Sequence, residues 1–226
     1  MADSPGSPAF LFDLDGTLVD SVYQHVLAWR DALEQAGLPL AVWRIHRRIG
    51  MSGGLFVNAL ARETGRSLNA DEVARVQVLH MEAFRKYSDQ VRPLPGAREL
   101  LAYLAGAGVA HAIATSGYRE SASVSMQTLG ASEVPLITRD QVARAKPDPD
   151  LFLAAAERLS VPIERSVVVG DSIWDLLAAR RAHALGVGLL SGGYGAEELH
   201  QAGAYRVYED PADLLAHLDE VGVRAV

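Results

Sequence analysis

Phe10-Leu11-Phe12-Asp13-Leu14-Asp15-Gly16-Thr17-Leu18-Val19-Asp20-Ser21 opens with a short apolar run that ends in two carboxylates separated by one residue. Read as a strand, its two-residue period sends Asp13 and Asp15 the same way from the strand's end. Like charges held that close repel, so one side chain must hold a proton or a cation must sit beside them. Either outcome suits catalysis. The competing reading is a β-hairpin turned at Asp15-Gly16. That reading makes poor use of Asp13, and the residues after Gly16 do not alternate as a returning strand should.

The bulk of the chain narrows the setting. Its 226 residues are enough for one large domain or two smaller ones with a sizeable core. Lys plus Arg number 21 against 28 Asp plus Glu, a net charge of −7. That balance speaks against nonspecific binding to nucleic acid or an anionic membrane, both of which need a basic surface. With no cysteine, disulfides and thiolate metal sites are excluded. No apolar run approaches the roughly 20 residues that span a bilayer. Met1 to Pro8 lacks the basic start of a signal peptide, so the expected compartment is the cytoplasm.

Downstream, strand-like runs alternate with helix-like ones. Strands are expected at Val109 to Thr115, Val134 to Thr138, Ser166 to Val169, Gly186 to Leu190 and Tyr205 to Tyr208. Helices are expected to begin near Ala97, Arg119, Asp148, Ser172, Gly195 and Pro211. Asp148-Pro149 reads as an acidic N-cap followed by proline at the first helical position. Short apolar strands alternating with helices predict an α/β fold with a doubly wound parallel sheet. Such sheets place their sites beyond the carboxyl ends of the strands, where Asp13 and Asp15 fall. From Val22 to Tyr87 the pattern is helical. Val22, Val26, Trp29 and Leu33 share one helical face before Gly37 and Pro39 stop it, and Val73, Val76, His80 and Phe84 share another. Arg92-Pro93-Leu94-Pro95-Gly96 then reads as a stiff linker. An α-helical insert therefore interrupts an α/β domain just after its first strand.

Three later strand ends each deliver a polar group. Thr115, Ser116 and Gly117 place hydroxyls and free amides at a helix start, as an anion cradle requires; a plain helix cap is the bland alternative. Lys146, in Ala-Lys-Pro-Asp-Pro-Asp, precedes a helix and can reach back toward a phosphate or the Asp13 pair, although most lysines are solvated. Val167-Val168-Val169 ends in Gly170-Asp171-Ser172-Ile173-Trp174-Asp175. Asp171 and Asp175, one helical turn apart, can face one site; a capping box of Ser172 with Asp175 is the competing account. A strand-end carboxylate near two others suggests a hard cation such as Mg2+.

In order and in local sequence, these four segments resemble the motifs of the haloacid dehalogenase (HAD) superfamily. Asp13-Leu14-Asp15-Gly16-Thr17 matches the first, Thr115 the second, Lys146 the third and Gly170-Asp171 through Asp175 the fourth. The insert resembles the small α-helical cap of phosphoglycolate phosphatase-like members. The resemblance implies a Rossmann-like core of residues 1–19 and 91–226 and a cap of residues 20–90. It implies a Mg2+-dependent phosphatase that hydrolyses a small phosphomonoester metabolite through an aspartyl-phosphate. Phosphoglycolate, a sugar phosphate and a nucleoside monophosphate are the candidate substrates. Asp13 would be the nucleophile and Asp15 the general acid and base. The Asp13 carboxylate, the Asp15 backbone carbonyl and Asp171 would hold the metal. Thr115, Ser116 and Lys146 would bind the phosphoryl group, and Asp175 would position Lys146 or a metal-bound water. The expected partner is a phosphorylated small molecule, with no nucleic acid or membrane, and the chain is expected as a monomer or homodimer.

Within the superfamily, dehalogenases lack the second aspartate, and phosphonatases need a cap lysine where this cap has only Lys86. A sugar phosphomutase of the β-phosphoglucomutase type is the closer rival, since Ser21 and His25 match its hinge residues. Its cap arginine, however, would fall near Gly53, in Ser52-Gly53-Gly54. A receiver-like phosphoacceptor domain would have no use for Asp15. In the cap, Arg44, Arg47 and Arg48 stand as candidate substrate contacts, with a solvated basic face as the alternative. Trp29 and Trp43 read as cap core. Gly192-Gly193-Tyr194-Gly195 lacks the spacing of a dinucleotide-binding fingerprint.

Overall fold

The computed structural model describes residues 7–223, so most of the Met1–Pro8 stretch and the last three residues of the expected core lie outside the described residues. In chain order the elements are β1 (Ala9–Phe12), β2 (Val19–Asp20), α1 (Val22–Gln35), α2 (Val42–His46), α3 (Gly53–Glu63), α4 (Ala70–Phe84), β3 (Arg92–Pro93), α5 (Ala97–Gly106), β4 (His111–Ala114), α6 (Arg119–Leu129), β5 (Leu136–Ile137), α7 (Asp150–Arg158), β6 (Ser166–Gly170), α8 (Ile173–Ala182), β7 (Leu185–Leu189), α9 (Ala196–Ala202), β8 (Ala204–Tyr208) and α10 (Pro211–Ala216).

Six strands form one parallel sheet in the order β5-β4-β1-β6-β7-β8. Phe12 pairs with Ile113 on one side and with Val169 on the other. All four residues of β1 are buried, as a strand covered on both faces demands. Alternate residues serve opposite faces. Phe10 and Phe12 pack with Leu100, Leu104 and Met126 of α5 and α6, whereas Leu11 packs with Leu151, Phe152 and Ala178 of α7 and α8. The chain continues from β1 to β4 on one side and returns to β6 on the other. The end of β1 is thus the topological switch point, where such sheets open a crevice.

Helices α1 to α4 build a separate apolar cluster in which Val22, Val26, Trp29 and Leu33 meet Phe56, Leu60 and Val76. The helical spacing of the first four therefore does specify a buried face. Three expectations need correction. Arg92 and Pro93 are no free linker: they pair antiparallel with Asp20 and Val19, so the two chains entering and leaving the insert run side by side. Helix α7 starts at Asp150, because the Asp148 amide first closes a turn onto the Ala145 carbonyl at 3.2 Å; the Asp148 carboxylate pairs with Arg181 instead of capping. Trp43 is exposed, with the Arg44 guanidinium 4.8 Å from its ring centroid, and is not core.

Candidate active site

The carboxyl ends of β1, β4 and β6 converge. Asp13 follows β1 directly, its amide donating to the Val169 carbonyl at 2.8 Å. The chain then reverses at Gly16, whose amide donates to the Val19 carbonyl at 2.8 Å. Gly16 has φ +88°, and a Cβ there would lie 2.6 Å from Asp171 Oδ2, so both conformation and space require glycine. There is no returning hairpin strand. The repulsion between Asp13 and Asp15 is managed by giving each its own donors. Asp13 Oδ1 takes a short bond from Lys146 Nζ. Asp15 Oδ1 accepts from Ser21 Oγ at 2.7 Å and lies 3.3 Å from His25 Nε2.

Lys146 is fully buried, which rules out the solvated reading. Its ammonium also stands 2.8 Å from Asp175 Oδ1. Asp175 performs both tasks the sequence offered it: its Oδ2 accepts from the Ser172 amide at 3.1 Å and from Ser172 Oγ at 2.6 Å, while its other oxygen faces the lysine. Asp171 is buried as well, and Thr17 Oγ1 donates to its Oδ1 at 2.9 Å. The glycine loop after β7 closes on this carboxylate. A Cβ on Gly192 would fall 1.8 Å from Asp171 Oδ2.

Asp13, Asp15, Thr115 and Ser116 line one cavity of about 160 Å³ between the sheet's end and the helical insert. Thr115 Oγ1 accepts the Gly117 amide at 2.9 Å, which leaves its hydroxyl proton to donate to an anion. Ser116 Oγ donates to the Gly50 carbonyl at 3.0 Å, so its hydroxyl ties the insert to the core. The Ser52 amide donates to the Lys146 carbonyl at 3.1 Å, a second tie. Arg44, Arg47 and Arg48 do not line the cavity. Arg44 and Arg48 bind Glu63, and Arg47 crosses to Glu198 of α9. Trp29 is buried as expected, yet its edge lines the cavity, with His80 stacked 3.9 Å from its ring centroid. His80 is the residue the sequence concealed. It lies 3.2 Å from His25 Nδ1, but at its helical spacing it reads only as part of a buried stripe.

Electrostatics separates the two carboxylates. Burial pushes Asp13 up, Lys146 pulls it down, and Asp175 and Asp15 add to the upward push, leaving it at about 7. Burial also pushes Asp15 up, but the charge and hydrogen bond of His25 and the Ser21 donation outweigh it, and Asp15 lies below its usual value. Asp171 is held well above the carboxylate range by burial and by the charges of Asp175 and Asp13. Burial lowers Lys146, and the charges of Asp13 and Asp175 more than reverse that, so it remains an ammonium. Asp13, Asp171 and Asp175 each offer an oxygen, all within 4.8 Å of one another. Three buried carboxylates served by one ammonium carry excess negative charge, and an all-oxygen donor set suits a hard cation such as Mg2+. The Asp15 carboxylate stands apart from this cluster, turned to Ser21 and His25.

A family model described as haloacid dehalogenase-like hydrolase matches residues 8–183. The chain is 30% identical over 198 residues to a phosphoglycolate phosphatase of Agrobacterium fabrum, covering 85% of this chain and 84% of the relative. It is 36% identical over 167 residues to hexitol phosphatase A of Escherichia coli, covering 72% and 74%. A crystal structure of a hydrolase from Pseudomonas syringae superposes with a TM-score of 0.94 at 52% identity, covering 96% of this chain and all of the other.

Proposed function

The chain belongs to the haloacid dehalogenase-like hydrolases, and from that premise we propose that it is a Mg2+-dependent phosphatase of small phosphomonoesters. One observation carries the reading: two carboxylates two residues apart open into one cavity, Asp13 against an ammonium and Asp15 against Ser21 and His25. That is the division of labour between a nucleophile and an acid/base.

Asp13 attacks phosphorus in line, forming an aspartyl-phosphate as the ester oxygen departs. Asp15, which His25 and Ser21 hold ionised in the substrate-free protein, takes up a proton from water as the phosphate anion binds beside it and gives that proton to the departing oxygen. Its carboxylate then takes a proton from the water that attacks the aspartyl-phosphate, and phosphate and free Asp13 result. Thr115, the amides beside it and Lys146 bind the phosphoryl oxygens and offset the charge that grows on them. Asp175, 2.8 Å from the Lys146 ammonium, holds it in place. Mg2+, held by the Asp13 and Asp171 carboxylates and the Asp15 backbone carbonyl, would supply further charge neutralisation at the phosphoryl group when bound. Residues 20–90 act as the cap over the core, and the Ser116–Gly50, Ser52–Lys146 and Arg47–Glu198 bonds are among the contacts that break when it opens. Among the described residues no helix is long and apolar enough to cross a membrane.

The deciding experiment is hydrolysis of 4-nitrophenyl phosphate with and without Mg2+. Turnover that disappears on chelation and in Asp13→Asn is the expected result. Activity that persists in Asp13→Asn would overturn the mechanism.

A further inference from the structure

We infer that the alcohol released from this phosphatase is uncharged and presents an apolar face, as a sugar ring or an aryl group does, and that carboxylate-bearing phosphomonoesters such as phosphoglycolate are poor substrates. The inference rests on the phosphatase reading and concerns the half of the cavity beyond the phosphoryl group.

That half is an aromatic and apolar wall. Trp29 and Phe56 pack at 4.2 Å between ring centroids, His80 stacks on Trp29 at 3.9 Å and Phe84 on His25 at 4.1 Å. Met51 and Met81 complete the wall. Such surfaces favour the C–H face of a ring or another aromatic system. Cationic partners for a second anion are already engaged: His25, which lines the cavity, faces Asp15 Oδ1 at 3.3 Å. Among the described residues Arg85 is the only lysine or arginine lining the cavity, and it is paired with Glu120 at the exposed mouth. The three cap arginines that might have read an anion point to Glu63 and Glu198. His80 is kept neutral by burial and by the neighbouring charge of His25. The start of α3 also reaches the cavity at Gly53, but Gln77 Nε2 lies 2.9 Å from where a Cβ on that glycine would stand, so a neutral carboxamide guards the approach. A carboxylate taken into this space would be desolvated beside Asp13 and Asp15, with His25 and Arg85 already paired to other carboxylates. A hydroxyl would find Gln77, Ser121 and Tyr118.

The test compares kcat/KM of the intact protein with Mg2+ on three phosphomonoesters: 2-phosphoglycolate, a hexose 6-phosphate and 4-nitrophenyl phosphate. Kd values of the first two for the Asp13→Asn protein, read by calorimetry, separate binding from turnover. The better neutral substrate should exceed phosphoglycolate by ~100-fold or more in kcat/KM and by at least ~10-fold in affinity. Met81→Lys, which sets a cation in the apolar wall, should raise kcat/KM for phosphoglycolate by ~10-fold while lowering it for the neutral pair. Hexose phosphate and aryl phosphate tell a sugar-binding wall from an aryl-binding one, and preference for either supports the inference. Phosphoglycolate at parity or better overturns the inference and leaves the phosphatase reading standing. Turnover of none of the three overturns both.

Discussion

His25 Nε2 stands 3.3 Å from Asp15 Oδ1, and its charge and hydrogen bond hold Asp15 below the usual carboxylate range against the upward push of burial. Without the imidazole, burial has only Ser21 and the more distant Lys146 to oppose it, so the pKa of Asp15 rises. His25→Ala should therefore shift the limb of the pH–kcat/KM profile that Asp15 governs to higher pH, with kcat down by about 10- to 100-fold. His25→Gln, which keeps a donor but no charge, should shift it less. An unmoved limb in His25→Ala would assign that limb to another group.

Asp13→Asn removes the proposed nucleophile and one of three buried carboxylates. Turnover should fall by at least ~10³-fold. The fold should hold, because Lys146 keeps Asp175 as its partner at 2.8 Å and the cluster sheds surplus negative charge. Unchanged or higher Tm in metal-free buffer, together with lost turnover, is the expected pair of measurements.

The same surplus gives the metal-free protein a pH dependence of definite sign. Asp13 titrates at about 7 in the folded protein against an ordinary value of 3.8, and Asp171 is raised as well. Between those two pH values the folded state holds protons that the unfolded chain has lost, so stability falls as pH rises across that interval. A hard cation bound to the same oxygens replaces those protons. Added Mg2+ should therefore raise Tm more at pH 8 than at pH 5.5, and Asp13→Asn should flatten the metal-free profile. A thermal-shift series from pH 5.5 to 8 reads both; a Mg2+ increment independent of pH would sever the link between the cluster and the metal.

Much of this site is legible in the sequence because each piece is local. Apolar runs that stop at Asp13, Thr115 and Asp171 mark strand ends, and parallel strands bring such ends together. The insert is legible because Val22, Val26, Trp29 and Leu33 repeat at helical period. What escapes is non-local or too short to have a period. The Val19–Asp20 and Arg92–Pro93 pair is two residues long, and a proline conceals it further. His80 looks like any other member of the α4 stripe until α1 places His25 beside it. Arg44 and Arg48 read as free cations because Glu63, which claims both, sits 15 residues or more away in sequence.

Among the described residues Lys146 is the only cation contacting two buried carboxylates, Asp13 and Asp175. Lys146→Met keeps most of the volume and removes the charge, leaving both carboxylates buried without it. Breaking a buried pair in this way costs roughly 3–5 kcal/mol, and the variant should also lose turnover. Urea unfolding in metal-free buffer reads the loss of stability. A midpoint near that of the parent protein would mean that water already reaches Asp13 and Asp175.

Thr17 Oγ1 donates to Asp171 Oδ1 at 2.9 Å, and both residues are buried. The bond fixes one oxygen of Asp171 and thereby aims the other at the space bounded by Gly16 and Gly192. Thr17→Val has nearly the same shape and keeps the packing, but Asp171 is then free to turn and its charge is less well solvated. Orienting partners of metal ligands contribute about 10- to 100-fold to metal affinity. The Mg2+ concentration for half-maximal activity should rise by that factor, while saturating Mg2+ recovers most of kcat. Direct Mg2+ titration by calorimetry should show the same weakening without any substrate. If Mg2+ binding were unchanged while kcat fell, Thr17 would act on the reacting groups and not through Asp171.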